Sequence, residues 1–322
     1  MTPFLILTSV LLVVGLFAAM RPLPPQPRPT LAPPIPSAPA TTPPWRAWQV
    51  APGIHGYAWE VAQPRGFVLL QHGYADYALR FVSEYHQLIP KLCAQGFSVY
   101  AMDLHGHGFS TGARGVLDVR QAVADHVQAR RLLATNGLPV FLIGHSLGGL
   151  ITAASVCTDA DNLAGVILMS PALPAHVPGP MRWLLNLLAR ITPHGAIPLP
   201  AAPESGLSRD TEYIARATAD PIIYHANVTT LTAATALAVA TTLTTAIPHW
   251  RVPTLIQHGS ADTWADPRGS SAFAAQLTAG DCTLITYPDG RHNLLCDDDQ
   301  VQAYHDIRTW LEGRVGDITP AA

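Results

Sequence analysis

The chain has 322 residues, 48% of them hydrophobic and only 13% charged, about half the charged share of an ordinary globular protein, whereas a disordered polypeptide needs the reverse balance. A formal net charge of −3, with Lys91 as the single lysine, offers no basic stripe and argues against a nucleic-acid partner. The four cysteines, Cys93, Cys157, Cys282 and Cys296, are too few and too scattered for a disulfide framework or a CxxC metal site, and leave open whether Cys282 and Cys296 join.

Residues 4–20 (FLILTSVLLVVGLFAAM) carry no charge. That length sits at the lower limit for crossing a bilayer, where a helix needs roughly 17–25 apolar residues. A secretory signal has a shorter apolar core behind a positive segment, and here only Met-Thr-Pro precedes it. The segment reads first as an uncleaved membrane anchor and second as a signal for export cut near Ala18-Ala19. The side of the membrane stays open, because Arg21 and Arg28 follow it and no Lys or Arg precedes it. Residues 21–44 (RPLPPQPRPTLAPPIPSAPATTPP) favour polyproline II and read as a stiff spacer. A folded domain is expected from Trp45.

Beyond Trp45, short apolar runs alternate with helical patterns. The runs are 66–71 (GFVLLQ), 97–102 (FSVYAM), 139–143 (PVFLI), 164–169 (AGVILM), 253–257 (PTLIQ) and 282–287 (CTLITY). Such continuous runs suit strands buried on both faces. Phe81, Tyr85, Leu88 and Leu92 recur at helical spacing up to Gly96. Val119, Val123, Val127 and Leu132-Leu133 form a second helical pattern, and Val301, Tyr304, Ile307 and Trp310-Leu311 a last one. The alternation implies an α/β fold: a mostly parallel sheet with helices on both faces. Function in such sheets gathers at the carboxyl ends of strands. There the chain places His72-Gly73-Tyr74, Asp103 to Gly108, Gly144 to Gly149, His258 to Asp262 and Pro288 to His292.

Gly144-x-Ser146-x-Gly148 fits a nucleophile elbow, a sharp strand-to-helix turn that exposes one hydroxyl. It follows an apolar strand and opens an apolar helix (Leu147, Leu150, Ile151, Ala154), the context the motif requires. A serine hydroxyl needs a base, and the base an orienting carboxylate, in the chain order Ser, Asp, His. Asp262, at a strand end, is the leading carboxylate, with Asp266 the rival and Asp289 third. His292, after the last strand, is the leading base. His176, His194, His225, His249 and His258 lack that placement, and His305 falls inside the last helix. An oxyanion hole needs two backbone N–H groups; Leu147, next after the nucleophile, and Tyr74, after His72-Gly73, are expected to supply them. His105-x-His107 has no third ligand at a recognised spacing, so no metal is expected. His145 reads as a packing residue. The relay requires no cofactor.

The segments HGYADYALRF (72–81), YAMDLHGHGFSTGARG (100–115), GHSLGG (144–149), GLSRD (206–210), ADPIIYH (219–225), PTLIQHGSADTWADPRGS (253–270) and YPDGRHNLL (287–295) resemble the monoacylglycerol lipase and lysophospholipase branch of the α/β hydrolases, from about residue 64 to 312. The resemblance implies an α/β-hydrolase fold, a triad of Ser146, Asp262 and His292, and the Tyr74 and Leu147 amides as oxyanion hole. It implies a core at 45–170 and 249–322 with a helical cap at 171–248. The chain departs from the family at Tyr74, where members often have a small residue, and at Asn293, where an acidic residue often follows the histidine.

Within the insert, Trp183, Leu184, Leu187, Leu188 and Ile191 fall on one side of a helix at 181–191, suited to burial against the sheet domain or to receiving an acyl chain. Residues 229–247 are long and uncharged but rich in Ala and Thr, and read as a cap helix rather than a second membrane span. The expected substrate is a single-chain lipid ester such as monoacylglycerol. A lysophospholipid, with Arg182, Arg190, Arg209 and Arg216 as its candidate cations, and a short-chain ester stay open. No acidic pair is evident to hold a peptide amine. The reading from a different class is a hydrolase-fold binding module without catalysis.

Overall fold

Eight strands hydrogen-bond into one sheet in a computed structural model that describes Pro39 and residues 41–315, except 135–136, 174–178, 198–202 and 278–280. The expected anchor at 4–20 and nearly all of the spacer at 21–44 lie outside the described residues. The strands are β1 (Arg46–Trp48), β2 (Gly56–Trp59), β3 (Gly66–Gln71), β4 (Phe97–Met102), β5 (Val140–His145), β6 (Leu163–Met169), β7 (Thr254–Gly259) and β8 (Cys282–Tyr287). Their order across the sheet is β1-β2-β4-β3-β5-β6-β7-β8. The β1–β2 and β2–β4 pairs are antiparallel and the rest parallel. This is the α/β-hydrolase architecture.

Every residue of β3, β4, β5 and β7 is buried, which is why each reads as an unbroken apolar run. Alternate side chains feed two cores: Phe67 and Leu69 enter one, Val68 and Leu70 the other. Helices α2 (Val119–Leu133) and α3 (Leu147–Thr158) cover the first face. Helices α1 (Leu88–Ala94) and α8 (Gln300–Glu312) cover the second. Between β6 and β7 lie α4 (Gly179–Ile191), a 3-10 turn at Glu204–Gly206, α5 (Thr211–Ala219) and α6 (Thr230–Ala246); α7 (Pro267–Gln276) joins β7 to β8.

The helical pattern from Phe81 to Leu92 is broken. A short turn at Arg80–Ser83 ends at extended Glu84, and Tyr85, His86 and Gln87 then take φ of 42°, 53° and 54° before α1 begins. Two residues account for this. A continuous helix would put Pro90 in its interior, whereas a restart at Leu88 puts it in a first turn, where no N–H is needed. The Tyr85 ring stacks on Phe81 at 3.9 Å and its hydroxyl donates to buried Asp76 at 2.5 Å.

On α4 only Leu188 is buried, and Met181, Trp183 and Ile191 are exposed, so the apolar stripe is not wholly packed inward. Residues Thr230–His249 are long and apolar enough to cross a membrane by length and composition. Nearly half of that stretch is buried, with Val239, Ala240 and Leu243 in the core beside residues of α2 and α3, as for the core helix of a globular domain. The four cysteines are free thiols.

Candidate active site

Strand β5 lies between β3 and β6, at the centre of the sheet. It ends at His145, and α3 starts at Leu147, so Ser146 alone makes the turn. Its backbone is forced to φ 54°, ψ −120°, a region disfavoured for any residue with a Cβ. The strain is held by the surroundings. Ser146 N–H donates to the Met169 carbonyl at 3.0 Å, and its own carbonyl accepts from Gly149 at 2.9 Å and Ala172 at 2.9 Å. Close passage of α3 over β3 requires Gly148, because a methyl group there would run into the Gln71 and His72 carbonyl oxygens.

The Ser146 hydroxyl donates to His292 Nε2 at 2.9 Å, and His292 Nδ1–H donates to Asp262 Oδ2 at 2.7 Å. The carboxylate at Nδ1 fixes the proton there and leaves the Nε2 lone pair for the hydroxyl. His292 and Asp262 are both buried. Asp262 Oδ1 accepts from the Trp264 and Ala265 amides at 2.8 and 3.0 Å. Burial alone would push the Asp262 carboxyl up. Hydrogen bonds from His258, His292 and the Ala265 amide outweigh that and hold it well below the usual carboxylate range. The indole of Trp264 stacks over the His292 ring, centroids 6.2 Å apart.

Tyr74 and Leu147 lie close to Ser146. A Cβ on Gly73 would lie 2.9 Å from Ser146 Cβ, so the peptide leading into Tyr74 runs beside the serine. His72 orients that peptide: its Nδ1–H donates to the Gly73 carbonyl at 2.7 Å, and its Nε2 accepts from Leu104 N–H at 3.0 Å. Leu147 N–H, at the start of α3, belongs to the first turn, whose amides have no intrahelical acceptor and carry the positive end of the helix dipole. Ser146 thus has the peptide entering Tyr74 on one side and the first amide of α3 on the other. The Tyr74 side chain turns away to the Gly115 carbonyl at 2.8 Å and sets its ring edge-on to His107 and Tyr224.

The rival carboxylates have other partners. Asp266 caps α7 by accepting from Arg268 N–H at 2.9 Å, and its side chain pairs with the exposed Arg268. Asp289 is exposed in a turn with φ 57°. His107 Nδ1–H donates to the His105 carbonyl at 2.8 Å. His145 is buried behind the base, ring centroids 5.1 Å from His292, and burial with His292 beside it pushes it down to about 3. Asn293 donates from Nδ2 to the Tyr213 hydroxyl at 2.7 Å.

One contact at Asp262 is not evident from the sequence, in which His258 lacks the placement of a base. Its Nε2 lies 3.1 Å from both Asp262 Oδ2 and the Ala265 carbonyl, and its Nδ1 faces Ser270 Oγ at 2.7 Å. Two acceptors at Nε2 place the proton there, so His258 is a second donor to the same carboxylate. The signal available was its position: His258 is the penultimate residue of β7, four before Asp262.

A family model described as serine aminopeptidase, S33 (Hydrolase_4) matches residues 62–299. The chain belongs to that family. The monoglyceride lipase of Rattus norvegicus is 30% identical over 261 residues, 78% of this chain and 84% of the rat protein. The monoacylglycerol lipase of Mycolicibacterium smegmatis is 29% identical over 253 residues, 77% of this chain and 88% of the relative. Among solved structures, the monoacylglycerol lipase of Paleococcus ferrophilus superposes with a TM-score of 0.69 at 27% identity, covering 81% of this chain and 99% of that one. Within the S33 family, the chain falls in the monoacylglycerol lipase branch of the α/β hydrolases and is a carboxylic ester hydrolase of lipid-cleaving type.

Proposed function

We propose that the protein is a membrane-associated monoacylglycerol lipase, with Ser146 as nucleophile, His292 as general base and acid, and Asp262 as the group that orients His292. The ester carbonyl carbon sits against Ser146 Oγ and its oxygen against the Tyr74 and Leu147 amides. Ser146 attacks while His292 Nε2 takes the hydroxyl proton, and Asp262 stabilises the imidazolium. His292 returns the proton to the glycerol oxygen as the ester C–O bond breaks, leaving an acyl-serine. A water molecule then attacks with the same proton relay, releasing fatty acid and restoring Ser146. The amides, fixed before reaction, stabilise the oxyanion without reorganising.

The reading rests on one observation above the others: the strained Ser146 hydroxyl is 2.9 Å from His292 Nε2, whose other nitrogen is 2.7 Å from Asp262. The relatives named monoacylglycerol lipase support the substrate. Membrane association is supported by the uncharged segment at 4–20 and by exposed Met181, Trp183 and Ile191 on α4, apolar groups suited to a lipid surface. The helical segment between β6 and β7 is read as the cap over the acyl chain.

The test is a panel of monoacylglycerols, lysophospholipids, triacylglycerols and short-chain esters under identical detergent conditions. Monoacylglycerol should be turned over with the highest kcat/KM. Turnover of the short ester alone would refute the lipid assignment and leave a short-chain esterase.

A further inference from the structure

The segment between β6 and β7 reaches past the sheet and grips the loop that carries the base. From Pro203 to Asp210 it runs as a strap alongside residues 291–299. The Gly206 carbonyl accepts from His292 N–H at 3.2 Å, and the Leu207 carbonyl accepts from Asn293 N–H at 2.8 Å. Ser208 Oγ donates to the Cys296 carbonyl at 2.6 Å. At its start the strap also meets the acid loop, where the Pro203 carbonyl accepts from Trp264 Nε1–H at 3.2 Å.

One carboxylate ties the strap and the loop together. Asp297 is fully buried. Its Oδ1 accepts from Arg209 N–H at 2.7 Å and Arg209 Nε at 3.1 Å. Its Oδ2 accepts from Arg291 N–H at 2.9 Å and pairs with Arg209 Nη2 at 2.9 Å. Arg291 immediately precedes His292, so the same side chain that anchors Arg209 also fixes the peptide entering the base. The other charges facing Arg209 are Asp298 at 3.3 Å and Asp299 at 2.5 Å. Burial would push the Asp297 carboxyl up, but the Arg209 guanidinium and the Arg209 and Arg291 amides hold it down, so it stays ionised and the pair stays charged.

We propose that Arg209 and Asp297 form a latch that holds His292 in register with Ser146, making the strap a positioning part of the catalytic centre. The inference rests on the triad reading given above and adds the element that keeps its base in place. Neither side chain is assigned to substrate: Asp297 acts on the Arg291 amide and Arg209 acts through Asp297. Loosening the latch lets the imidazole drift from the 2.9 Å contact with Ser146. A shift of this kind lowers kcat and leaves KM nearly unchanged. A merely structural pair would lower the melting temperature without that split.

The experiment measures kcat and KM on p-nitrophenyl butyrate, and the rate of Ser146 labelling by a fluorophosphonate, for Arg209→Gln, Arg209→Lys and Asp297→Asn in the full chain. Folding is checked by circular dichroism and Tm, with Ser146→Ala alongside. Arg209→Gln and Asp297→Asn should lower kcat and the labelling rate together, by about 10- to 100-fold, with KM within about twofold of the native protein. Arg209→Lys, which keeps the charge but loses the two-pronged grip, should fall between them and native. A folded Arg209→Gln protein with native kcat and labelling rate overturns the latch. Arg209 is partly exposed, so that variant decides the matter even if Asp297→Asn fails to fold. Persistent activity in Ser146→Ala would instead refute the triad reading itself.

Discussion

His258 and His292 hydrogen-bond the same oxygen of Asp262, at 3.1 and 2.7 Å. His258 approaches from β7 and His292 from the loop after β8, so the carboxylate proposed to orient His292 is itself held by a second ring. His258→Phe removes that donor and leaves Asp262 held by His292 and two amides. The expected loss is about 10-fold in kcat, equivalent to roughly 1.4 kcal/mol, with little change in KM. Steady-state hydrolysis of a soluble ester checks this, and an unchanged kcat would show that His258 only packs.

Ser146 combines the hydroxyl proposed to react with a backbone that glycine would adopt more readily. Ser146→Ala removes the hydroxyl and keeps the strain, and should lower turnover by roughly 10⁴–10⁶-fold. Ser146→Gly should be equally inactive but more stable than the alanine variant by about 1–3 kcal/mol, the typical cost of such a backbone. Thermal unfolding of the two side by side measures the difference. Equal melting temperatures would mean that the elbow stores no strain.

Gly148 lies where a methyl group would meet two backbone carbonyl oxygens of the chain leaving β3. Backbone cannot rotate aside as a side chain can. Gly148→Ala should therefore push α3 away from β3, disturbing both Ser146 and the loop that carries Tyr74. The expected outcome is a loss of stability of about 2 kcal/mol or more together with a fall in kcat. Urea unfolding and ester hydrolysis on one preparation test both parts. Native behaviour in both would show that the contact relaxes freely.

Burial pushes His107, His126 and His145 down to about 3. Each is neutral in the folded protein at a pH where the unfolded chain, titrating near ~6.5, takes up a proton. Protonation therefore favours unfolding. Their contribution is fully present above about pH 6.5 and is lost as pH falls towards 3, at roughly 1.4 kcal/mol per pH unit for each ring. Urea midpoints should fall between pH 7.5 and pH 5, and His126→Asn should make the fall shallower by about one proton. Midpoints independent of pH over that range would contradict the buried neutral state.

β3, β4, β5 and β7 are legible in the sequence because burial on both faces leaves apolar runs, and β6 and β8, less buried, keep runs of the same kind. β1 and β2 are not, since Arg46–Trp48 and Gly56–Trp59 are short antiparallel additions with no distinctive pattern. The break before α1 is hidden because Phe81, Tyr85, Leu88 and Leu92 mimic one helix, with Pro90 the one local sign against it. At the site, the positions of Ser146, Asp262 and His292, which the structure brings within hydrogen-bond distance, are readable from their places after strands. Asp262 and Asp266 are separated only by the structure, which gives Asp266 to the N-cap of α7. GLSRD (206–210) is visible in the sequence as a segment of family resemblance, but its role as a strap is not, because its partners in the base loop lie more than eighty residues downstream and its contacts with 292–293 are through backbone atoms that carry no residue signature.

The most direct measurement is mass mapping of the protein after reaction with a fluorophosphonate. One equivalent of the phosphonyl group should appear on the peptide containing Ser146 and on no other, and the Ser146→Ala and His292→Ala proteins should remain unlabelled. Labelling of a different serine, or undiminished labelling of the Ser146→Ala protein, would contradict the assignment of Ser146 as the nucleophile.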